Sequence, residues 1–279
     1  MQVIRTLSEL RSWRAEHPDV GLVPTMGNLH AGHIELVRVA RRYGETIATT
    51  IFVNPTQFGP NEDFASYPRT LEADLAQLEA AGNTMVFVPE VETMYPDGPT
   101  VTRVLPGPLA SELCGAHRPG HFDGVLTVVS KLFHLVQPRF ACFGRKDFQQ
   151  LTLIRQMVRD LNFPLEIIPV PIVRADDGLA LSSRNIYLSA DERSRALVLP
   201  RTLQWVADAL RTAPADVAGI EAQAMNMLRE RGFVPDYVSV RTEADLATMQ
   251  HARGAMIVLA AARMGKTRLI DNLCFELPA

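Results

Sequence analysis

Through residues 1–174, short apolar runs rich in β-branched residues alternate with stretches of helical periodicity, and this alternation constrains the fold more than anything else in the chain. GLVPT (21–25), TIATTIFV (46–53), TMVFVP (84–89), RFACFG (139–144) and LEIIPVPIV (165–173) are strand-like. Between them, residues from about 30 to 43, 70–82, 124–138 and 147–161 read as helices, one ending at Gly82 and one stopped by Pro138. A strand and a helix precede them in MQVIRTLSELRSWRAEHPD, and Pro/Gly-rich loops fall before Pro68 and over 96–108. Strands joined through helices lie parallel, with helices on both faces, so the expectation is a Rossmann-like α/β domain. Ligands in such sheets sit beyond the carboxyl ends of the strands.

The pattern changes after Arg174. Residues 190–212 and 216–231 read as two amphipathic helices, followed by the strands DYVSV, AMIVLAAARM and TRLIDNL, the last two joined by a tight turn at Gly265-Lys266. This predicts a Rossmann-like domain over 1–174 and a smaller C-terminal α+β domain over 175–279.

Composition narrows the functional classes. Of the 279 residues 47% are hydrophobic, enough for a packed core, which excludes a disordered or fibrous chain. Basic and acidic residues number 16 and 18 over 1–174, and 12 and 13 beyond, so neither part has the basic excess of a nucleic-acid-binding surface. Three cysteines (Cys114, Cys142, Cys274) make no disulfide framework. The N-terminus lacks the layout of a signal peptide and no apolar run is long enough to span a membrane, so a cytoplasmic protein with no membrane partner is expected.

The strongest chemical signal is PTMGNLHAGH, residues 24–33. A strand ends at Pro24-Thr25, Gly27 allows a close backbone approach, and His30 and His33 flank a helix start. Residues three apart share a helix face, so both imidazoles and the first-turn N–H groups would converge on one anion, of which phosphate is the natural candidate. FVNPTQFG (52–59) follows the next strand, and its Asn54 and Gln57 suit hydroxyls and a carboxylate, although NPT taken alone reads as a turn. In FGRKDFQQL (143–151), Gly144 permits approach, Lys146 is one of only three lysines, and Asp147 could meet a ribose hydroxyl or cap the following helix. LSSRN (181–185) sets two hydroxyls and a guanidinium in a row, a functional loop or a plain polar linker. Two patterns are set aside. Cys114-x-x-His117-x-x-x-His121 lacks a fourth zinc ligand, and GKT at 265–267 lies on a hairpin rather than in a phosphate loop.

His30-Ala31-Gly32-His33 resembles the HIGH motif of the nucleotidylyl-transferase superfamily. The longer string, with FVNPTQFG, YPRT (67–70), RPGHFDGVLTVV (118–129), FGRKDFQQL, LSSRN and GKTRLIDN (265–272), is similar along the whole chain to the pantoate–β-alanine ligase family. Arg145 stands where that family usually has Glu, and Leu181 where it usually has Met. The resemblance implies ATP-dependent condensation of pantoate with β-alanine through a pantoyl adenylate, releasing AMP and pyrophosphate, with Mg2+ accompanying the ATP. It implies that His30, His33 and Lys146 carry the catalysis. ATP contacts would come from Met26, Gly27, Asn28, Leu29, Ala31 and Gly32 around the histidines, and from Gly144, Arg145 and Asp147 around the lysine. Val173 would meet adenine, and Leu181, Ser182, Ser183 and Arg184 would grip phosphates as the lysine-serine loop of the superfamily does. Gln57, Gln150 and Asn54 would bind pantoate and β-alanine, the metal ligands stay undefined, the C-terminal domain would act as a lid, and a homodimer is expected. The competing readings are a related adenylyltransferase that stops at nucleotidyl transfer, which has no need of FVNPTQFG, and a non-enzymatic nucleotide-binding protein, which has no need of paired histidines.

Overall fold

The computed structural model describes residues 1–60, 62–98 and 102–278; parts of both Pro/Gly-rich loops, at Asn61 and Pro99–Val101, lie outside them. The chain divides into two compact units, Met1–Arg145 with Leu153–Pro171, and Lys146–Thr152 with Ile172–Ala279. This is not the single cut after Arg174 that the change of pattern suggests. Residues 146–152 group with the second unit, where the Asn272 side chain donates to the Lys146 carbonyl at 2.9 Å.

The first unit contains, in chain order, β1 (Gln2–Ile4), α1 (Leu7–Glu16), β2 (Gly21–Thr25), α2 (Ala31–Ala40), β3 (Ile47–Ile51), α3 (Leu71–Ala80), β4 (Met85–Phe87), α4 (Val91–Met94), α5 (Cys114–His117), α6 (His121–Val136), β5 (Phe140–Gly144), residues 153–160 of α7 (Phe148–Asp160) and β6 (Glu166–Val170). All six strands are parallel, in the order β1-β4-β3-β2-β5-β6. From β2 the chain steps outward through β3 to β4, then resumes on the other side with β5. The reversal between β2 and β5 opens a crevice beyond their carboxyl ends, which is where ligands bind in sheets of this kind. The loop after β2 is 26–30, and β5 ends at Gly144.

Burial on both faces explains the near-continuous apolar strands. On one face, Ile34, Leu36, Val37, Val39 and Ala40 of α2 and Leu78 of α3 pack with Val23, Ile47, Val86, Phe140, Ile168 and Val170. Another helix, α6, is apolar almost all round, as an enclosed helix must be, and it packs against α1 and β2.

The second unit adds α8 (Ala190–Arg195), α9 (Val198–Thr212), α10 (Val217–Glu230) and an antiparallel sheet of β7 (Phe233–Thr242), β8 (Gly254–Met264) and β9 (Thr267–Leu277) in the order β7-β8-β9. The β8–β9 turn is Gly265-Lys266 as expected, with Gly265 at φ +56°. The helix expected over 190–212 is broken at Ala196-Leu197. Pro200 accounts for the break: it has no N–H to offer the Ala196 carbonyl, and its ring crowds that oxygen. Asp176-Asp177-Gly178 forms the tip of a small hairpin. Its arms are tied by Ala175 N to Leu179 O (2.9 Å) and Leu181 N to Val173 O (3.0 Å), and Asp177 pairs with Arg193 at 2.8 Å. Among the described residues no helix is long and apolar enough to cross a membrane.

Candidate active site

Leaving β2, the backbone takes two left-handed steps, Gly27 at φ +82° and Asn28 at φ +49°. A Cβ at Gly27 would meet Ile51 Cγ2 and Asp74 Oδ2 at 3.1 Å, so glycine serves here for close approach as well as for φ. Asp74, 1% exposed on α3, braces the loop. Its carboxylate accepts the N–H groups of Asn28 (2.9 Å) and Leu29 (2.8 Å) and the Thr70 hydroxyl (3.1 Å). Sequence reading passes over Asp74, whose loop partners lie 46 and 45 positions away.

His30 is the N-cap of α2, and the two histidines cap it reciprocally. His30 Nδ1 accepts from Gly32 N–H at 3.1 Å, His33 Nδ1 accepts from His30 N–H at 3.3 Å, and the ring centroids lie 4.1 Å apart. An acceptor Nδ1 fixes the neutral ring's proton on Nε2. Each neutral imidazole therefore carries its proton on Nε2. The backbone contributes less than expected. The N–H groups of Gly27, Asn28, Leu29, His30, Gly32 and His33 all have acceptors within the protein.

After β3, the turn Pro55–Gln57 carries Gln57. Asn54 is expected on sequence grounds to touch substrate, but it is 1% exposed and its amide is fully engaged. Its Oδ1 accepts from the Tyr95 hydroxyl (2.8 Å) and the Thr56 hydroxyl (3.0 Å), and its Nδ2 donates to Gly124 O (3.2 Å) and Gln57 Oε1 (3.0 Å). Burial pushes the Tyr95 phenol above its ordinary value, keeping it a donor. With Oε1 taken, Gln57 presents its Nε2–H group, which reaches Met26 Sδ at 3.1 Å and ties this turn to the histidine loop. Lys131, which would pass for a surface charge on α6, lies half-buried with its ammonium 5.3 Å from the Tyr95 ring centre. His121 of the zinc-like pattern is occupied in hydrogen bonds, and among the described residues no three His, Cys, Asp or Glu side chains gather as a metal cluster.

In the second unit, Lys146 is half-buried. Burial lowers its pKa and the nearby Arg184 lowers it further, against the opposing pull of Asp147 and Asp271. Two cations held this close form a setting that an anionic ligand relieves. Asp271 is itself held by Arg174 in a two-pronged ion pair of 2.7 and 2.9 Å. Together with the Asn272–Lys146 bond this gives the IDN end of GKTRLIDN a structural task that its sequence does not announce. Ser182 Oγ accepts from Arg184 N–H (3.3 Å) and caps the turn Ser183–Tyr187, so Ser182, Ser183 and Arg184 share one short helical turn. Val173 O is used by Leu181 N–H, Asp147 is exposed, and Gln150 is half-buried on α7. Gly144 and Arg145 belong to the first unit, at the end of β5.

The family described as pantoate-beta-alanine ligase matches residues 2–274. Pantothenate synthetase of Stutzerimonas stutzeri (strain A1501) is 53% identical over 282 residues, covering 99% of each chain. The crystal structure of pantothenate synthetase from Thermus thermophilus superposes with a TM-score of 0.91 at 47% identity, covering 98% of this chain and 99% of that one. The pantoate-beta-alanine ligase of Francisella tularensis, complexed with beta-gamma ATP and β-alanine, gives 0.83 at 33% identity, covering 98% and 97%. With its six-stranded parallel sheet, its small antiparallel sheet and its histidine pair, the chain belongs to the pantoate–β-alanine ligase family.

Proposed function

We propose that this enzyme joins pantoate to β-alanine in two steps. A pantoate carboxylate oxygen attacks the α-phosphorus of ATP, the bond to the bridging oxygen breaks, and pyrophosphate leaves with the electron pair. The amine of β-alanine, having shed a proton to become neutral, then attacks the acyl carbonyl. The amine nitrogen releases a second proton as the C–O bond to AMP breaks, and pantothenate and AMP remain. The observation that carries this reading is the reciprocal histidine cap at the sheet's reversal, a preset pair of neutral N–H donors for charge developing on phosphate oxygens.

In this reading His30 and His33 face the reacting phosphates, and the rest of the loop 26–33 shapes the nucleotide site. Lys146 and Arg184 neutralise phosphate charge, with Gly144, Arg145, Asp147, Leu181, Ser182 and Ser183 as further ATP contacts and Val173 beside the base. Gln57 offers N–H to pantoate, Gln150 is a second pantoate contact, and Asn54 acts by holding Gln57. Magnesium prefers phosphate oxygens and water with few carboxylates, so it enters with ATP as part of the substrate. A cytoplasmic homodimer completes the proposal. The test is product release: AMP and pyrophosphate formed in equal amounts only when pantoate and β-alanine are both present, with AMP release that ignores β-alanine counting against it.

The lowered Lys146 pKa gives a pH prediction. The ammonium is the phosphate-binding form and persists below its pKa. As pH rises through that lowered value the charge is lost, so kcat/KM for ATP falls at a pH below the ordinary lysine range near ~10.4. Lys146→Arg keeps its charge throughout, and its pH profile should lack that alkaline fall.

A further inference from the structure

RPGHFDG at 118–124 contributes to the family likeness, yet nothing above gives its arginine and histidine a part in the reaction. His121 opens α6 and is 9% exposed. Its Nε2 lies 2.8 Å from Arg118 Nη1, and its Nδ1 lies 2.8 Å from the Gln57 carbonyl oxygen. A guanidinium has only donors. His121 Nε2 must therefore accept, which places the ring proton on Nδ1, where it donates to Gln57 O. Arg118 is fixed in turn by a two-pronged bond to Glu62, Nε to Oε1 at 2.7 Å and Nη2 to Oε2 at 2.5 Å. Burial works to raise the Glu62 pKa, but the bonds and charge of Arg118 outweigh it and hold the carboxyl below its usual range, so the fork stays charged.

The turn that carries Gln57 is loosely closed from within, since Gln57 N lies 3.5 Å from Asn54 O. The Asn54 side chain caps it through Thr56 and Gln57, and contacts with α6 hold it further. Gly124 approaches so closely that a Cβ there would sit 2.3 Å from Thr56 O and 2.7 Å from Gln57 Cα. The Asn54 amide donates to Gly124 O, and His121 anchors the last carbonyl of the turn.

The geometry points to His121 as a positioning residue for pantoate, acting through the Gln57 carbonyl, with Arg118 and Glu62 fixing its tautomer. This rests on the reading of Gln57 as a pantoate contact. The Gln57 carbonyl and side chain share one Cα, so release of the carbonyl lets the peptide rotate and moves the amide away from Asn54.

Steady-state kinetics on the full-length enzyme test this, with pantoate and ATP varied separately. His121→Phe keeps a ring and removes both nitrogens; it should raise the pantoate KM about tenfold, with kcat and the ATP KM little changed. His121→Asn places an amide N–H where Nδ1 stood and should restore most of the loss. Gln57→Leu should raise the pantoate KM by itself, and H121F/Q57L should be no worse than Q57L, because one residue acts through the other. An unchanged pantoate KM in H121F beside a raised one in Q57L overturns the positioning role, as does a double variant whose loss is the product of the two singles. An unchanged pantoate KM in Q57L overturns the reading of Gln57 instead, and the role of His121 falls with it. Should H121F not fold, Glu62→Gln tests the relay from its far end: a several-fold rise in pantoate KM at constant ATP KM supports it, and no rise overturns it.

Discussion

His33→Ala should lower the rate of pantoate-dependent pyrophosphate exchange by ~100- to 1,000-fold, the usual consequence of removing one preset donor of transition-state charge. Two effects are mixed in that variant, because the His33 ring also caps α2 by accepting from His30 N–H, and loss of a cap costs about 0.5–2 kcal/mol of stability. His33→Asn separates them. Its side-chain oxygen can still accept at the cap, while nothing remains where Nε2 stood. His33→Gln does the reverse, placing an amide N–H near the Nε2 position. Asn should therefore keep the melting temperature and lose the exchange, and Gln should recover part of the exchange. Near-normal exchange in the Asn variant would remove His33 from the phosphate.

Asp271→Ala should be among the most destabilising single changes in the second unit. The carboxylate is 1% exposed and holds Arg174 with both oxygens, one of which also accepts from Asn272 N–H. Removing one partner of a buried pair strands the other charge, at about 3–5 kcal/mol. The lower end is expected, because the Arg174 side chain keeps 29% of its surface in water. Asp271 also supports the charge of Lys146, so the variant should lose ATP affinity at pH values where the parent still binds well. Urea unfolding and ATP KM measured across alkaline pH check the two halves separately. A Cm within error of the parent would show that the ion pair contributes little.

Much of this could be read from the chain before any coordinates. Parallel strands buried on both faces are written as unbroken apolar runs, and the histidines, Asn54, Gln57 and Lys146 follow strand ends, where chemistry collects in such sheets. The helix expected over 190–212 contains Pro200, and its amphipathic period outweighs that warning. What stayed hidden were the supports. Asp74 reaches Leu29 across 45 positions, His121 reaches Gln57 across 64, and Arg174 reaches Asp271 across 97. No local pattern announces such a partner, because it is the fold that makes them neighbours. The same cause explains why Asn54 looks like a substrate contact. Its residue type suits one, and only its engaged neighbours show that it serves Gln57.

The Asp74 brace also bears on when the histidine loop becomes ordered. Many phosphate-binding loops close around their ligand, and the nucleotide then bears the entropic cost of ordering them. Fixing one residue's backbone costs about 1–2 kcal/mol. In this protein the N–H groups of Asn28 and Leu29 are held by a carboxylate on a different helix, so their conformations are fixed when α3 docks on the sheet. The ordering is completed during folding, and in the proposed function ATP meets a loop already in its working shape. Affinity for ATP thus becomes partly a property of how firmly α3 is seated, and a cavity made beneath Leu78, far from any phosphate, should register in nucleotide binding.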